Sequence, residues 1–319
     1  MLNTGTITRS LGGTVNFTLP TGTQSASNGI TTRTLNDSSG IIGGFATVGS
    51  TDFAKNSTNS VGGNIVAYTD YTNTALGGTI NDGSTTNARI NSGTSGNITL
   101  DSTTTAVNTL LQSYTTAATV DTASKTLQTG SIMIGSGKQA LTLGAAVNDG
   151  FLTAASSGGE LFLINNSSNG ALNVNAVVAD NGSASSLTKA GAGLVLLSGA
   201  NTYTGNTTVT AGTLKAGGAS ANSSGAFGHN SAVTMANAAS TNLDITGYNT
   251  QIGSITGGGA AGGNVTLGAA TLTVGGDNSS PAAYAGMISG TGAVTKMGTG
   301  TQIFSGANTY TGLTTVNAG

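Results

Sequence analysis

Hydrophobic and polar positions alternate in short runs along nearly the whole chain. In Asn264–Gly275, NVTLGAATLTVG, Val265 and Leu267 share one side of a two-residue period, as do Leu272 and Val274. Gly193–Leu197, GLVLL, reads with Leu194 and Leu196 pointing inward and Leu197 on the opposite face. Thr207, Thr208 and Val209 form the next short run, which closes on Gly212. Such runs, bounded by Gly, Asn and Ser about every ten residues, predict many short strands. Helical spacing is expected at one place, Asn108–Asp121, NTLLQSYTTAATVD, which predicts a helical turn.

The pattern also repeats. LTKAGAGLVLLSGANTYTGNTTVTAG, from Leu187 to Gly212, aligns without gaps to VTKMGTGTQIFSGANTYTGLTTVNAG, from Val294 to Gly319, with 17 of 26 positions identical at an offset of 107. Thr301, Ile303 and Phe304 take the places of Leu194, Leu196 and Leu197. An upstream echo, TLGAA, occurs at Thr142–Ala146 and Thr266–Ala270, an offset of 124, so the first module is longer by 124 − 107 = 17 residues. That length is close to a solenoid repeat unit of roughly 20 residues, which predicts a coil gained or lost between the copies. Stacked folds accept such a change because each repeat touches only its neighbours.

Within both copies the octet SGANTYTG is unchanged, at Ser198–Gly205 and Ser305–Gly312. It reads as a corner between strands. Gly199 and Gly205 are expected to supply positive φ, and Asn201 to bond its own backbone in a turn. Tyr203 projects to one face and Thr202 and Thr204 to the other. A buried ring there would anchor the corner, provided its hydroxyl finds a partner. The same roles fall to Gly306, Asn308, Tyr310 and Gly312.

These residues resemble the autotransporter-associated β-strand repeat of bacterial passenger regions. Its pattern is a Thr-Lys and a glycine pair, a short apolar strand, Ser-Gly-Ala-Asn-Thr-Tyr-Thr-Gly, then a β run closing on Gly. Thr188–Gly212 and Thr295–Gly319 match it. The stretches GGTVNFTLPTGT and GGFATVGSTDFA look like the region that precedes such repeats. The resemblance implies a right-handed parallel β-helix, surface exposure, and structural or adhesive work. Its implied partners are glycans, host or abiotic surfaces, or identical rods. The expected organisation is one elongated all-β solenoid: a β-rich region over 1–130, a first module over 131–212 and a second over 213–319. Coils about 4.8 Å apart predict a rod of about 60–70 Å. The start, MLNTGTITRSLGG, lacks the basic and apolar parts of a signal peptide, and no barrel-like region follows. A segment of a larger surface protein, or export by a partner, is therefore expected.

Composition sharpens this picture. Glycine supplies 52 of 319 residues, and only 6% of residues are charged, against roughly 25% in an average protein. With a net charge of −2 and abundant β-branched residues, the chain is strand- and turn-rich, not disordered. Its nine Lys and Arg are scattered singly, which argues against nucleic acid. No apolar run is long enough to cross a bilayer as a helix, and the absence of cysteine excludes disulfide and thiol chemistry.

Candidate chemistry is sparse. Gly257–Gly262 fits G-x-G-x-x-G, but that fingerprint must open a helix, and a strand pattern follows. GSGK at Gly135–Lys138 has Ile132 where a phosphate loop needs glycine and Gln139 where it needs Ser or Thr. His229, the one histidine, sits in a polar turn and is expected to be solvated there. The eleven acids lie at least eleven residues apart, unlike calcium-binding repeats. Coils can still gather distant acids, so a carbohydrate-active β-helix enzyme is one alternative, with Asp70, Asp82, Asp101 and Asp121 to watch. Pairs such as Thr202/Thr204, Thr271/Thr273 and Thr309/Thr311 recur at no fixed spacing, as strand preference alone would give. A self-assembling filament subunit is the other alternative, since open solenoid ends expose unpaired strands. The expectation is no enzyme, no catalytic, cofactor-binding or metal-ligating residue, and no bound cofactor.

Overall fold

Each apolar run becomes one strand of a few residues, too short to bury its inner face without neighbours. In the computed structural model, which describes every residue except Ala26 and Asn222, these strands stack in parallel, one coil above the next. One sheet climbs through ten strands from Thr79–Ile80 to Ile288–Ser289. A second climbs from Thr72–Ala75 to Ile255–Gly257, with a short branch through Phe151–Thr153 and Val177–Ala179. A third links Thr250–Gln251, Leu272–Val274, Val294–Lys296 and Thr314–Val316. Among the described residues no helix forms.

The core is a set of vertical ladders. Leu141, Leu172, Val195, Leu214, Leu243, Val265 and Ile288 pair in that order up the ten-stranded sheet, all fully buried. Each such side chain contributes about 1.5–3 kcal/mol on burial. Parallel registry puts it on the chemically similar residue one coil away, so a single pattern serves every level. The solenoid makes about 11 turns, or about 50 Å at the spacing of paired strands. That is shorter than the rod expected from chain length, because residues 1–67 do not stack.

Those residues form a side lobe around a six-stranded sheet, with antiparallel pairings between Ile30–Thr32, Ala46–Val48, Asp52–Asn56 and Gly63–Ala67. Its own core holds Phe17, Ile30, Ile42, Ala54 and Ile65. The lobe docks on the outer face of the second sheet, where Leu111, Met133, Ile164 and Ala190 pack with Ile41, Phe53, Tyr68 and Tyr71. Strands beneath it are buried on both faces and lose their alternation: Thr126–Ile134 ends in Ser-Ile-Met-Ile, and Glu160–Asn165 reads Glu-Leu-Phe-Leu-Ile-Asn.

This explains the first departure from expectation. Asn108–Asp121 holds no helical turn: it runs from the strand Thr104–Gln112 through a bend into the strand Ala118–Asp121. Its adjacent Leu110 and Leu111 suit a helix by spacing, but one faces the solenoid core and the other the lobe. A second departure concerns Gly193–Leu197. Val195 and Leu197 point inward, while Leu194 and Leu196 are half-buried outside. Four apolar residues in a row leave the period open, and the ladder decides: Val195 lies between Leu172 and Leu214, Leu196 between Asn173 and Lys215. In the second copy Phe304 packs on the core and Ile303 is exposed. The shared faces expected of Val265 with Leu267 and of Leu272 with Val274 match the structure, which buries all four.

The third departure is the repeat itself. The strand Ser186–Ala190 belongs to the second sheet, whereas its equivalent Val294–Lys296 belongs to the four-stranded one. Phe304 pairs with Tyr284, which pairs with Gly257 at the top of the second sheet, where its equivalent Leu197 lies in the ten-stranded sheet. The second copy is thus turned by one face about the solenoid axis. From Thr142 the chain visits five further strand positions to reach Leu187; from Thr266 it visits four to reach Val294. The 17 extra residues therefore add one face, not one coil, and the two corners do not line up on one edge.

Candidate interaction surface

The octet builds joints between coils. Tyr203 is 1% exposed, and its Oη shares a hydrogen bond of 2.7 Å with Thr207 Oγ1, which shares one of 2.8 Å with Ser231 Oγ. Ser231 Oγ then donates to the Gly205 carbonyl at 2.7 Å. The ring anchors the corner as its spacing implied, with Thr202 and Thr204 exposed. Asn201 does something else. Its Oδ1 accepts from Val178 N one coil below, and its Nδ2 donates to Ala226 O one coil above, both at 2.7 Å. It is a fully buried bolt through three levels, not a turn former.

The octet glycines also act differently from expectation. Neither Gly199 nor Gly205 has positive φ. A Cβ on Gly199 would lie 2.5 Å from the Ala176 carbonyl oxygen, and one on Gly205 would collide with that of Ser185. Gly306 and Gly312 meet the carbonyls of Gly286 and Gly292 in the same way. Glycine is needed there because the backbone of the preceding coil passes too close for a side chain.

The Thr-Lys pair carries a feature that sequence reasoning missed. Lys189 points into the solenoid, paired with buried Leu163 below and Val209 above. Its Nζ donates to the carbonyls of Ala190, Gly191 and Ala211 at 2.6–2.9 Å, tying its own turn to the next one up. Burial pushes its pKa down to about 7. Lys296 repeats the arrangement with Met297, Gly298 and Ala318. A lysine at an inward position of the strand period was the available signal.

Thr188, on the outer side of that strand, meets the lobe. Glu160, whose side chain is 5% exposed, receives Arg9 Nη1 at 2.5 Å, the Gly12 amide at 2.9 Å and the Thr188 hydroxyl. The Arg9 guanidinium also lies over the rings of Phe45 and Phe162, 5.2 and 5.0 Å from their centroids.

The acids singled out as catalytic candidates stand singly or in pairs, with no three of them gathered in one place. Asp70 pairs with Lys55 on the lobe at 2.7 Å, and that cation's hydrogen bond holds its carboxyl below the usual range. Asp82 and Asp101 are neighbours, the Asp82 amide donating to the Asp101 carboxylate, while Asp82 Oδ1 receives the Ala106 amide. Asp121 lies beside Asp149, the two carboxylates receiving the Ala123 amide together at 3.1 and 3.3 Å. Among the described residues no three His, Asp or Glu side chains form a group able to hold a metal. Gly257–Gly262 is a tight turn, Gly259 and Gly262 exchanging backbone hydrogen bonds of 2.9 and 3.2 Å, and the strand Asn264–Thr266 follows. Gly135–Lys138 is a turn between strands. His229 is half-buried, not fully solvated; its amide donates to the Tyr203 carbonyl and its ring lies beside Asn230.

Comparison with known proteins agrees with this geometry. The family model of the passenger-associated-transport-repeat matches residues 187–216 and 294–319, the two octet-bearing segments. Over 134 residues the chain is 48% identical to the adhesin BmaC autotransporter of Brucella suis biovar 1 (strain 1330). That match takes in 42% of this chain and 4% of the Brucella protein, so the chain spans a small part of its relative's length. No solved structure matches the chain. With a duplicated tyrosine corner and an inward lysine in each copy, this chain carries two segments that match the passenger-associated-transport-repeat.

Proposed function

We propose that the chain is a non-catalytic, adhesive passenger-type segment of a bacterial surface protein. It holds an outer wall at a fixed distance along a stiff stack and offers weak polar contacts in series. The observation that carries this reading is the 48% identity to a protein named as an adhesin, over a length far beyond the two repeats. Parallel ladders bonded at every level support stiffness, and the low charge supports contact with neutral surfaces rather than nucleic acid. Residues 131–212 and 213–319 act as two modules of the rod. Display at the cell surface or outside the cell follows from the same likeness, and the contacts gain strength by number. The acids engaged in structural hydrogen bonds, singly or in pairs, support a role without catalysis.

Beads coated with the purified chain test this reading. They are expected to attach to host-cell or glycan-coated surfaces, more steeply as coating density rises. Attachment equal to that of beads coated with an unrelated protein, at every density, would remove the adhesive role.

A further inference from the structure

A ring on the outer wall lies outside the buried clusters. Tyr248 is 39% exposed, in the turn between the strands Asn242–Asp244 and Thr250–Gln251. Its mount is rigid. The Tyr248 amide donates to the Ile245 carbonyl at 3.0 Å, with Gly247 at φ 96° completing the turn. Asn249 fixes the turn to both neighbouring coils: its carbonyl accepts from Ser220 N at 3.0 Å and its Oδ1 from Thr271 N at 2.8 Å. A tyrosine held this firmly and left uncovered is not explained by stability.

The surroundings favour one kind of ligand. Tyr248 and Asn249 line a groove of about 310 Å³ together with Gly247, Ala219, Ala269 and Ala270. Small residues on three successive coils leave the ring accessible. Among the described residues Tyr248 Oη and Asn249 Nδ2 make no hydrogen bond, so a donor and a donor–acceptor remain beside an aromatic surface. None of the lining residues is charged. An anionic ligand would find no counter-ion. A sugar ring presents C–H groups on one face and hydroxyls at its edge, matching an aromatic face with neutral polar groups beside it.

We propose that the Tyr248 turn binds a single neutral hexopyranose unit of a glycan, stacked on the tyrosine and hydrogen-bonded by Asn249 and the phenol. The proposal rests on the adhesive reading and gives it a site. One ring in a shallow groove binds with a dissociation constant of about 1 mM, useful only through repetition along and between rods.

Saturation-transfer NMR on the full chain, with the methyl glycosides of glucose, galactose and mannose as probes, is the test. At least one is expected to receive transfer. Tyr248→Ala is expected to weaken it by about tenfold or more, and Tyr248→Phe, which keeps the face, by about threefold or less. Thermal unfolding should change little in both variants, since the ring belongs to none of the buried clusters. Transfer to none of the three sugars, or undiminished transfer in Tyr248→Ala, overturns the site. Silent NMR with attaching beads would refute the site alone; sugar binding with beads that never attach would refute adhesion alone.

Discussion

Two copies of one octet, in different surroundings, separate what a residue is from what its neighbours make of it. Tyr203 is buried under the next coil, whereas Tyr310, with the same bond to Thr314 Oγ1 at 2.6 Å, is half-exposed. Tyr203→Phe should lower stability by about 1 kcal/mol and Tyr310→Phe by much less, read as shifts in urea midpoint; equal shifts would contradict the contrast in burial. Lys189 gives a pH signature. Its ammonium has an ordinary pKa of 10.5 when unfolded and about 7 in the fold. Between those values the unfolded chain holds the extra proton, so stability should rise with pH, by up to about 1.4 kcal/mol per unit. Below about pH 7 both states are protonated and the dependence ends. Lys189→Met should flatten the rise in unfolding free energy between pH 7 and 10. Of these roles only the tyrosine anchor was legible in the sequence, because a large ring between two threonines declares its own side. Asn201 and Gly199 take their roles from Val178, Ala226 and Ala176, residues about one coil away. Local turn chemistry cannot reveal a constraint imposed by another level of the stack.

Among the elements, the strands were readable wherever one face is buried and the other wet, as in Leu272–Val274. They were misread where apolar residues adjoin, with both faces covered at Leu110–Leu111 and the outer face half-buried at Leu194–Leu197. Leu110–Leu111 suggested a helix because nothing in the local sequence announces a lobe lying on the strand's outer side. The lobe's attachment depends on a few contacts and can be loosened separately. Glu160→Gln should weaken its hold by about 2 kcal/mol through loss of the charge-assisted bond to Arg9. Hydrogen exchange should then quicken across residues 1–67 and along the covered strand Thr126–Ile134, while Leu172–Val174 and Leu214 stay protected. Uniform quickening through the solenoid would mean that lobe and stack unfold as one unit. Met133→Asp, which places a carboxylate in the same interface, should have the same pattern with larger amplitude.

For the whole molecule, registry makes the coil the unit that can be removed. Val265 pairs with Ile288, 23 residues on, so excising Val265–Met287 puts Ile288 where Val265 was, above Leu243. The product should remain folded and be shorter by about 4.8 Å in X-ray scattering; loss of the cooperative transition would show that levels are not interchangeable. Repetition itself was plain in the sequence, but not its geometry, since an offset counts residues and not sides of a prism. The turn of the second copy by one face changes what a neighbouring surface encounters. A flat wall laid along this rod meets one tyrosine corner while the other looks elsewhere. Any grip exerted along one flank must therefore come from side chains between the joints, and the joints are free to wind around the shaft.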